Sequence, residues 1–393
     1  MFTRAIALWA TEAAPSDDLA KAFHNLAAVY RAEGRYPDAA RFYLRALDMR
    51  ESLAAPRDAS LLSILNELGL VYLEMADYVQ AEKTLQRALA TVQANQAEAT
   101  QNGADTFTAW GVVLETEGKN AAAIEWLCKA LATREKLNGR DSVPAADAAS
   151  DLALAYRQEG DLAQAESLYR RALEAYRQAS DPNSLAVLLN NLGRVVAEQS
   201  RYKEASQFYH ESIRVAEQRL GPDHPDVAVA LGSLGQLMIA QRKFSAAEPL
   251  LERAEQIDRQ NFAPDHPRIG YDLSNEAVVA VGRKHYADAE SLYRKSQAIL
   301  EKTLPPNHPE IGKVVARLAH VYCLEGRLDE SEELYRRALD VLTQAWGPEN
   351  PQLYGYLQSY EAVLRARHEY AEAESVQVRS TKIRVVEALR NEN

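Results

Sequence analysis

The sequence predicts an all-α fold, an α-solenoid of about nine stacked helix–turn–helix repeats. Three observations carry this. The chain is similar to itself at a spacing of 42 residues over positions 17–390, with one interval of 40. Small residues return at the same places in each copy. Alanine, leucine, glutamate, arginine and glutamine dominate, while 393 residues hold only 17 glycines and 7 phenylalanines, a balance that favours helix over sheet.

The period is visible by eye. "FHNLAAVYRAEGRYPDAARFYLRAL" at 23–47 aligns with "LNELGLVYLEMADYVQAEKTLQRAL" at 65–89 and "FTAWGVVLETEGKNAAAIEWLCKAL" at 107–131. It continues through "ASDLALAYRQEGDLAQAESLYRRAL" at 149–173 and "LLNNLGRVVAEQSRYKEASQFYHES" at 189–213. Further steps reach Gly235, Ala277, Ala319 and Glu361. The repeats run about 17–56, 57–98, 99–140, 141–180, 181–222, 223–264, 265–306, 307–348 and 349–390. Residues 1–16 form a half-repeat or cap, because "TRAIALWATE" resembles the end of a second helix, and 391–393 are a tail. A start on half a repeat suits either a cap or a piece of something longer.

Each element has a local reason. The first helix carries Ala27, Gly69, Gly111, Ala153, Gly193, Gly235, Ala277 and Ala319 in one column. The second carries two such columns, beginning with Ala39 and Ala46. Two antiparallel helices approach to the near end of ~8–10 Å only where the contact residues lack bulk. Leu26, Tyr30 and Tyr43 are the large apolar fillers beside them in repeat one. Short breakers such as "EGRY", "EGDL" and "EGRL" separate the two helices. Repeat seven departs from the pattern: Glu276 replaces the usual leucine and Ala280 the usual large residue, which predicts a softer joint there.

Between repeats stand "GPDHPDV" at 221–227, "APDHPRI" at 263–269, "PPNHPEI" at 305–311 and "GPENPQL" at 347–353. The acid–histidine–acid grouping resembles a site. However, Pro225, Pro267, Pro309 and Pro351 suit a first helical position, where the missing N–H costs nothing. Each also keeps the preceding residue out of helical geometry. A shared zinc needs ligands ~2.0–2.3 Å from one ion, whereas equivalent atoms on stacked helices lie ~10 Å apart. His224, His266 and His308 are therefore punctuation, with Leu220, Phe262, Leu304 and Trp346 upstream as apolar plugs.

The pattern aromatic-x-x-Leu-small-x-x-Tyr, then Ala, then an aromatic and a further Ala, resembles the tetratricopeptide repeat. The 42-residue period and the "LGPDHPDVA" linker resemble its kinesin light chain variety. That resemblance implies a right-handed superhelix with the first helices lining a concave groove where partners bind. Fold and function remain separate questions.

Composition excludes several classes. Net charge is -11 with no long basic run, which disfavours a nucleic-acid binder. No apolar run approaches the ~20 residues of a membrane span. "AIALWA" is short for the apolar part of a secretory signal. Two distant cysteines, Cys128 and Cys323, make no disulfide framework and suit a reduced compartment, so a cytoplasmic location is expected. Phosphate loops, H-E-x-x-H, Cys-x-x-Cys and G-x-S-x-G are all absent from the sequence. Cys128 sits beside the Ala130 column as a small filler, and Cys323 near His320 lacks an orienting carboxylate. No catalytic residue, metal or cofactor is expected.

The register places Asn25, Asn66, Asp151, Asn190, Asn191, Arg194, Asn275, Lys313, Arg317 and His320 on the groove side of the first helices. Asparagine both donates and accepts, which suits the unpaired backbone of an extended segment. The family resemblance implies peptide binding for Asn190 and Asn191 in "LNNL". The charges are acidic over repeats two to four, at residues such as Glu67, Glu115 and Asp147, and basic over eight and nine. Positions 24, 28, 108 and 112 lack the family's basic clamp for chaperone C-termini. The expected function is a non-enzymatic scaffold binding an extended peptide or partner domain. The alternatives are a sensor or recruitment arm of a larger assembly and a self-assembling structural protein.

Overall fold

The computed structural model describes residues 16–53, 58–75, 77–116, 119–179 and 182–391. The expected N-terminal half-repeat lies outside these residues. Among them the chain forms eighteen α-helices, one 3-10 turn and no strand. Eight consecutive pairs of them pack helix on helix. Contacts divide the chain into two compact units, residues 1–200 and 201–393.

The first unit holds α1 (Asp17–Ala32), α2 (Tyr36–Leu53), α3 (Leu62–Glu74), α4 (Tyr78–Ala94), α5 (Gln101–Thr116) and α6 (Asn120–Asn138). It continues with α7 (Val143–Glu159), α8 (Leu162–Ala179) and α9 (Pro182–Glu198), the last being the first helix of repeat five. The second unit opens with that repeat's second helix, α10 (Tyr202–Leu220). Four pairs follow: α11 (Pro225–Ala240) with α12 (Phe244–Asn261), and α13 (Pro267–Gly282) with α14 (Tyr286–Thr303). The last two are α15 (Pro309–Leu324) with α16 (Leu328–Trp346), and α17 (Leu353–Ala366) with α18 (Tyr370–Asn391).

Packing inside a pair follows the small-residue columns. A Cβ added at Gly69, Gly111 or Gly235 would sit 2.5–2.7 Å from the side chain of Leu85, Leu127 or Leu251, sixteen residues on. Where the first-helix residue is alanine, at 27, 153, 277 and 319, the residue sixteen on is a tyrosine instead. Leucine branches at Cγ and fills the space a Cβ would need. A flat tyrosine ring slides past a methyl. Tyr43, Tyr169, Tyr293 and Tyr335 are all at most 3 % exposed. The partnership is steric, and filling it tightly is what a close-packed core requires.

The junction histidines cap helices. His224, His266 and His308 each accept, through Nδ1, a hydrogen bond at 3.2 Å from the backbone N–H two residues on. Asn350 does the same in the fourth junction, its Oδ1 accepting from the Gln352 N–H at 2.9 Å. Ser16 and Ser142 cap α1 and α7 through their hydroxyls. Each Nδ1 serves here as the acceptor, so these imidazoles are structural caps. Burial, with the Arg268 charge beside it, pushes His266 down to about 4, and Phe262 stacks on its ring at 4.3 Å.

Candidate functional site

Within each unit, first helices lie against the first helices of neighbouring repeats: α3 on α5 and α5 on α7, then α11 on α13 and α15 on α17. This makes a first-helix face whose side chains reach from one repeat to the next. Several predicted groove residues are used for that reach. Asn66, only 5 % exposed, accepts from the Thr106 hydroxyl at 3.0 Å and donates to the Asn102 carbonyl at 3.4 Å. The Asn275 amide oxygen accepts from Gln236 at 3.4 Å. Arg317 is exposed and donates to the Ser274 hydroxyl at 2.7 Å.

The asparagines divide. Asn25 is exposed on α1 and Asn191 half-buried on α9. Asn190 is 5 % exposed, and its amide oxygen has no partner. Arg194, beside them, is exposed.

Ion pairing reshapes the acidic and basic stretches. Arg31 spans Glu67 at 2.6 Å and Glu74 at 2.9 Å, so much of the acid in repeat two is neutralised. Arg134 pairs with Asp105, and Arg157 with Glu198 at 2.6 Å. The basic end is thinned likewise: Lys313 binds Glu310 at 2.7 Å and Arg365 binds Glu361 at 2.8 Å. Two places keep their character. In the first unit Glu115, Asp147 and Asp151 stand together; burial first, then the Asp151 charge, pushes Glu115 up to about 8. Burial and Asp147 push Asp151 up to about 7.

In the second unit Arg317 and His320 border a cavity of about 430 Å³. Its walls are Val278, Val281, Tyr293, Tyr335 and Tyr356. Sequence reasoning named the two polar residues and missed the tyrosines, which come from second helices and from the next repeat. The columns that place Tyr293 and Tyr335 were the available signal.

Cys128 is exposed rather than filling the core, because it follows Leu127 on the outer side of α6. Partial burial pushes both thiols up, the reverse of what a thiolate nucleophile needs. The carboxylates of Glu332, Glu369 and Glu372 come together within 4.8 Å. Arg367 pairs with Glu332 and with Glu369 at 3.0 Å, and Arg336 with Glu332, so the group is an ion-pair network. Among the described residues no helix is long and apolar enough to cross a membrane.

Comparison with known proteins gives one consistent answer. The apo form of RapI is similar in structure at a TM-score of 0.52, with 15% identity over 71% of this chain and 97% of that one. A signal-transduction ATPase with a tetratricopeptide repeat sensor, from Pyrococcus horikoshii, matches at 0.50 and 17% identity. That match covers 86% of this chain but 52% of the ATPase. A kinesin light chain protein of nearly identical TPR-like repeats, from Podosopora anserina, matches at 0.43 with 20% identity, over 52% of this chain and 96% of that one. No curated protein matches the sequence. One tetratricopeptide repeat profile matches residues 2–94, 104–178, 184–260 and 313–384, and a second matches 273–310. The change of profile falls on repeat seven, where Glu276 and Ala280 break the columns. With most of its length so matched, the chain belongs to the tetratricopeptide repeat family.

Proposed function

We propose that this protein is a non-enzymatic interaction scaffold of the cytoplasm that holds an extended peptide or partner domain on its first-helix face. Likeness to RapI and to an ATPase with a repeat sensor at such low identity speaks for the fold alone, so the reading rests on residues. The observation that supports it is the Arg317–His320 cavity: tyrosine and valine walls, a guanidinium and an imidazole at the rim, and room for one large side chain. Binding sites commonly combine an apolar pocket with a few convergent polar groups in this way. The exposed and half-buried amides of Asn25 and Asn191 offer paired donors and acceptors to a partner's backbone. The proposed contacts are Asn25, Asp151, Asn190, Asn191, Arg194, Lys313, Arg317 and His320, with Asn66 and Asn275 serving first as links between repeats.

A test selects binders from a displayed library of random twelve-residue peptides and measures their affinity for variants. Arg317→Glu should weaken the selected peptides at least tenfold. Lys295→Glu, exposed on the second helix α14, should leave them unchanged. Selected peptides indifferent to Arg317→Glu, His320→Ala and Asn191→Ala together would refute binding on this face.

A further inference from the structure

Three polar groups meet between repeats three and four. Glu115 rises from α5, is 6 % exposed, and its Oε1 has no hydrogen-bond partner. Asp151 stands on α7 close enough for its charge to act on Glu115. The Tyr169 hydroxyl comes from α8, is 1 % exposed and also lacks a partner, and it senses the charges of both acids. The charges of Arg157, Arg134 and Arg194 act on Glu115, Asp151 and Tyr169, but none of them bonds Glu115 Oε1; Arg134 pairs with Asp105 and Arg157 with Glu198. A buried carboxyl oxygen left without a hydrogen-bond donor is costly, and proteins keep such groups mainly where something pairs with them.

We infer that Glu115, Asp151 and Tyr169 form a receptor for one basic side chain of the bound partner, with arginine preferred. This deepens the scaffold reading and rests on it. The two carboxyls belong to neighbouring first helices, so a planar guanidinium can bridge them with separate N–H groups, which a compact ammonium does less well. The Tyr169 hydroxyl serves as a further acceptor. Burial raises the affinity of both carboxyls for protons, and a bound guanidinium displaces those protons as it pairs.

The experiment uses the full chain and two capped nine-residue peptides of alternating glycine with arginine or with citrulline, titrated calorimetrically at 150 mM salt. The arginine peptide should bind at least tenfold more tightly than its citrulline counterpart. Glu115→Gln with Asp151→Asn should abolish that preference while keeping the helical spectrum. Tyr169→Phe should reduce the preference about threefold. Removing two exposed acids on second helices, Glu125→Gln with Glu174→Gln, should leave it intact. Equal affinity for the two peptides overturns the inference, as does a preference that survives Glu115→Gln/Asp151→Asn, which would be general charge attraction. If neither peptide binds yet library-selected peptides remain sensitive to Arg317→Glu, the receptor falls and the scaffold reading stands. If no peptide of any kind engages the first-helix face, both fall.

Discussion

Repeats seven and eight occupy the same fold with the same period, yet they solve one packing problem differently. In repeat eight Tyr322 is 2 % exposed and its hydroxyl donates to Glu290 at 2.7 Å. Arg327 lies 3.7 Å over its ring and binds Glu290 at 2.8 Å, while Arg294 reaches the same carboxylate at 2.9 Å. Burial works against Glu290, but these hydrogen bonds hold it down to about 2. Stepping back 42 residues in the sequence turns Tyr322, Glu290, Arg327 and Arg294 into Ala280, Glu248, His285 and Glu252. All four line a cavity of about 140 Å³ in repeat seven, together with Glu276. One aromatic ring organises a whole polar cluster. Without it the same positions surround a gap, where Glu252 repels Glu276 and Glu248 pairs with Arg283 instead.

The largest effect should come from making repeat eight resemble repeat seven. Tyr322→Ala removes a buried ring, strips Arg327 of its stacking surface and leaves Glu290 short of a donor, costing about 3–4 kcal/mol. Chemical denaturation followed by circular dichroism would measure it, and a loss under 1 kcal/mol would show that the cluster holds without its ring. The reciprocal Ala280→Tyr should fill the gap and stabilise repeat seven by about 1 kcal/mol, with its hydroxyl donating to Glu248.

Next is the acid in the leucine column. Burial first, then the charges of Glu255 and Glu252, push Glu276 up to about 7. Its ordinary value lies near 4.5. Between those limits the folded chain keeps a proton that the unfolded chain has released, so stability falls as pH rises from about 4.5 to 7. Below that window the penalty is absent, and above it complete. Glu276→Leu should therefore add on the order of 2 kcal/mol at pH 8 and far less at pH 4. A gain independent of pH would mean the site senses leucine's packing and not the missing charge. Hydrogen exchange should sharpen the same contrast, with amides of α13 opening faster than those of α15 at pH 8.

What the sequence made legible was steric and local. A period, a column of small residues and a proline after a histidine each act within one repeat, so Gly69 against Leu85 and the punctuation at His308 follow from spacing. The capping role of His308 was one step further, yet the fourth junction writes it plainly by putting Asn350 in the histidine's place. Pairings that involve the first helices were not legible. On the second helices Arg87, Arg171, Arg253 and Arg337 each pair with the glutamate 36 residues back. Arg31, by contrast, finds Glu74, 43 residues on, while Arg134 finds Asp105, 29 residues back, so pairs with a first-helix member share no offset. That is why an acidic stretch of three repeats in the sequence contracts to Glu115, Asp147 and Asp151 in the structure. Asn66 illustrates the same point: its place on the groove side is a matter of register, but the Thr106 hydroxyl that holds it is a matter of assembly.

The smallest expected difference lies in the turns. Repeat eight passes from α15 to α16 through Gly326 at φ 77, and repeat seven from α13 to α14 through Lys284 at φ 64. The two turns close with matching bonds, Arg327 N–H to Tyr322 carbonyl at 2.9 Å and His285 N–H to Ala280 carbonyl at 2.8 Å. The geometry is shared, and only the residue differs. A side chain in this left-handed region costs about 1–2 kcal/mol, while glycine gives part of that back through its freer unfolded chain. Lys284→Gly should thus stabilise the protein by about 0.5–1 kcal/mol, and Gly326→Lys should destabilise it by a similar amount. Equal and opposite shifts in the denaturation midpoint would assign the turn's share of the difference to backbone strain. No shift from either variant would leave the missing ring at Ala280 and the acid at Glu276 as the whole of what separates the two repeats.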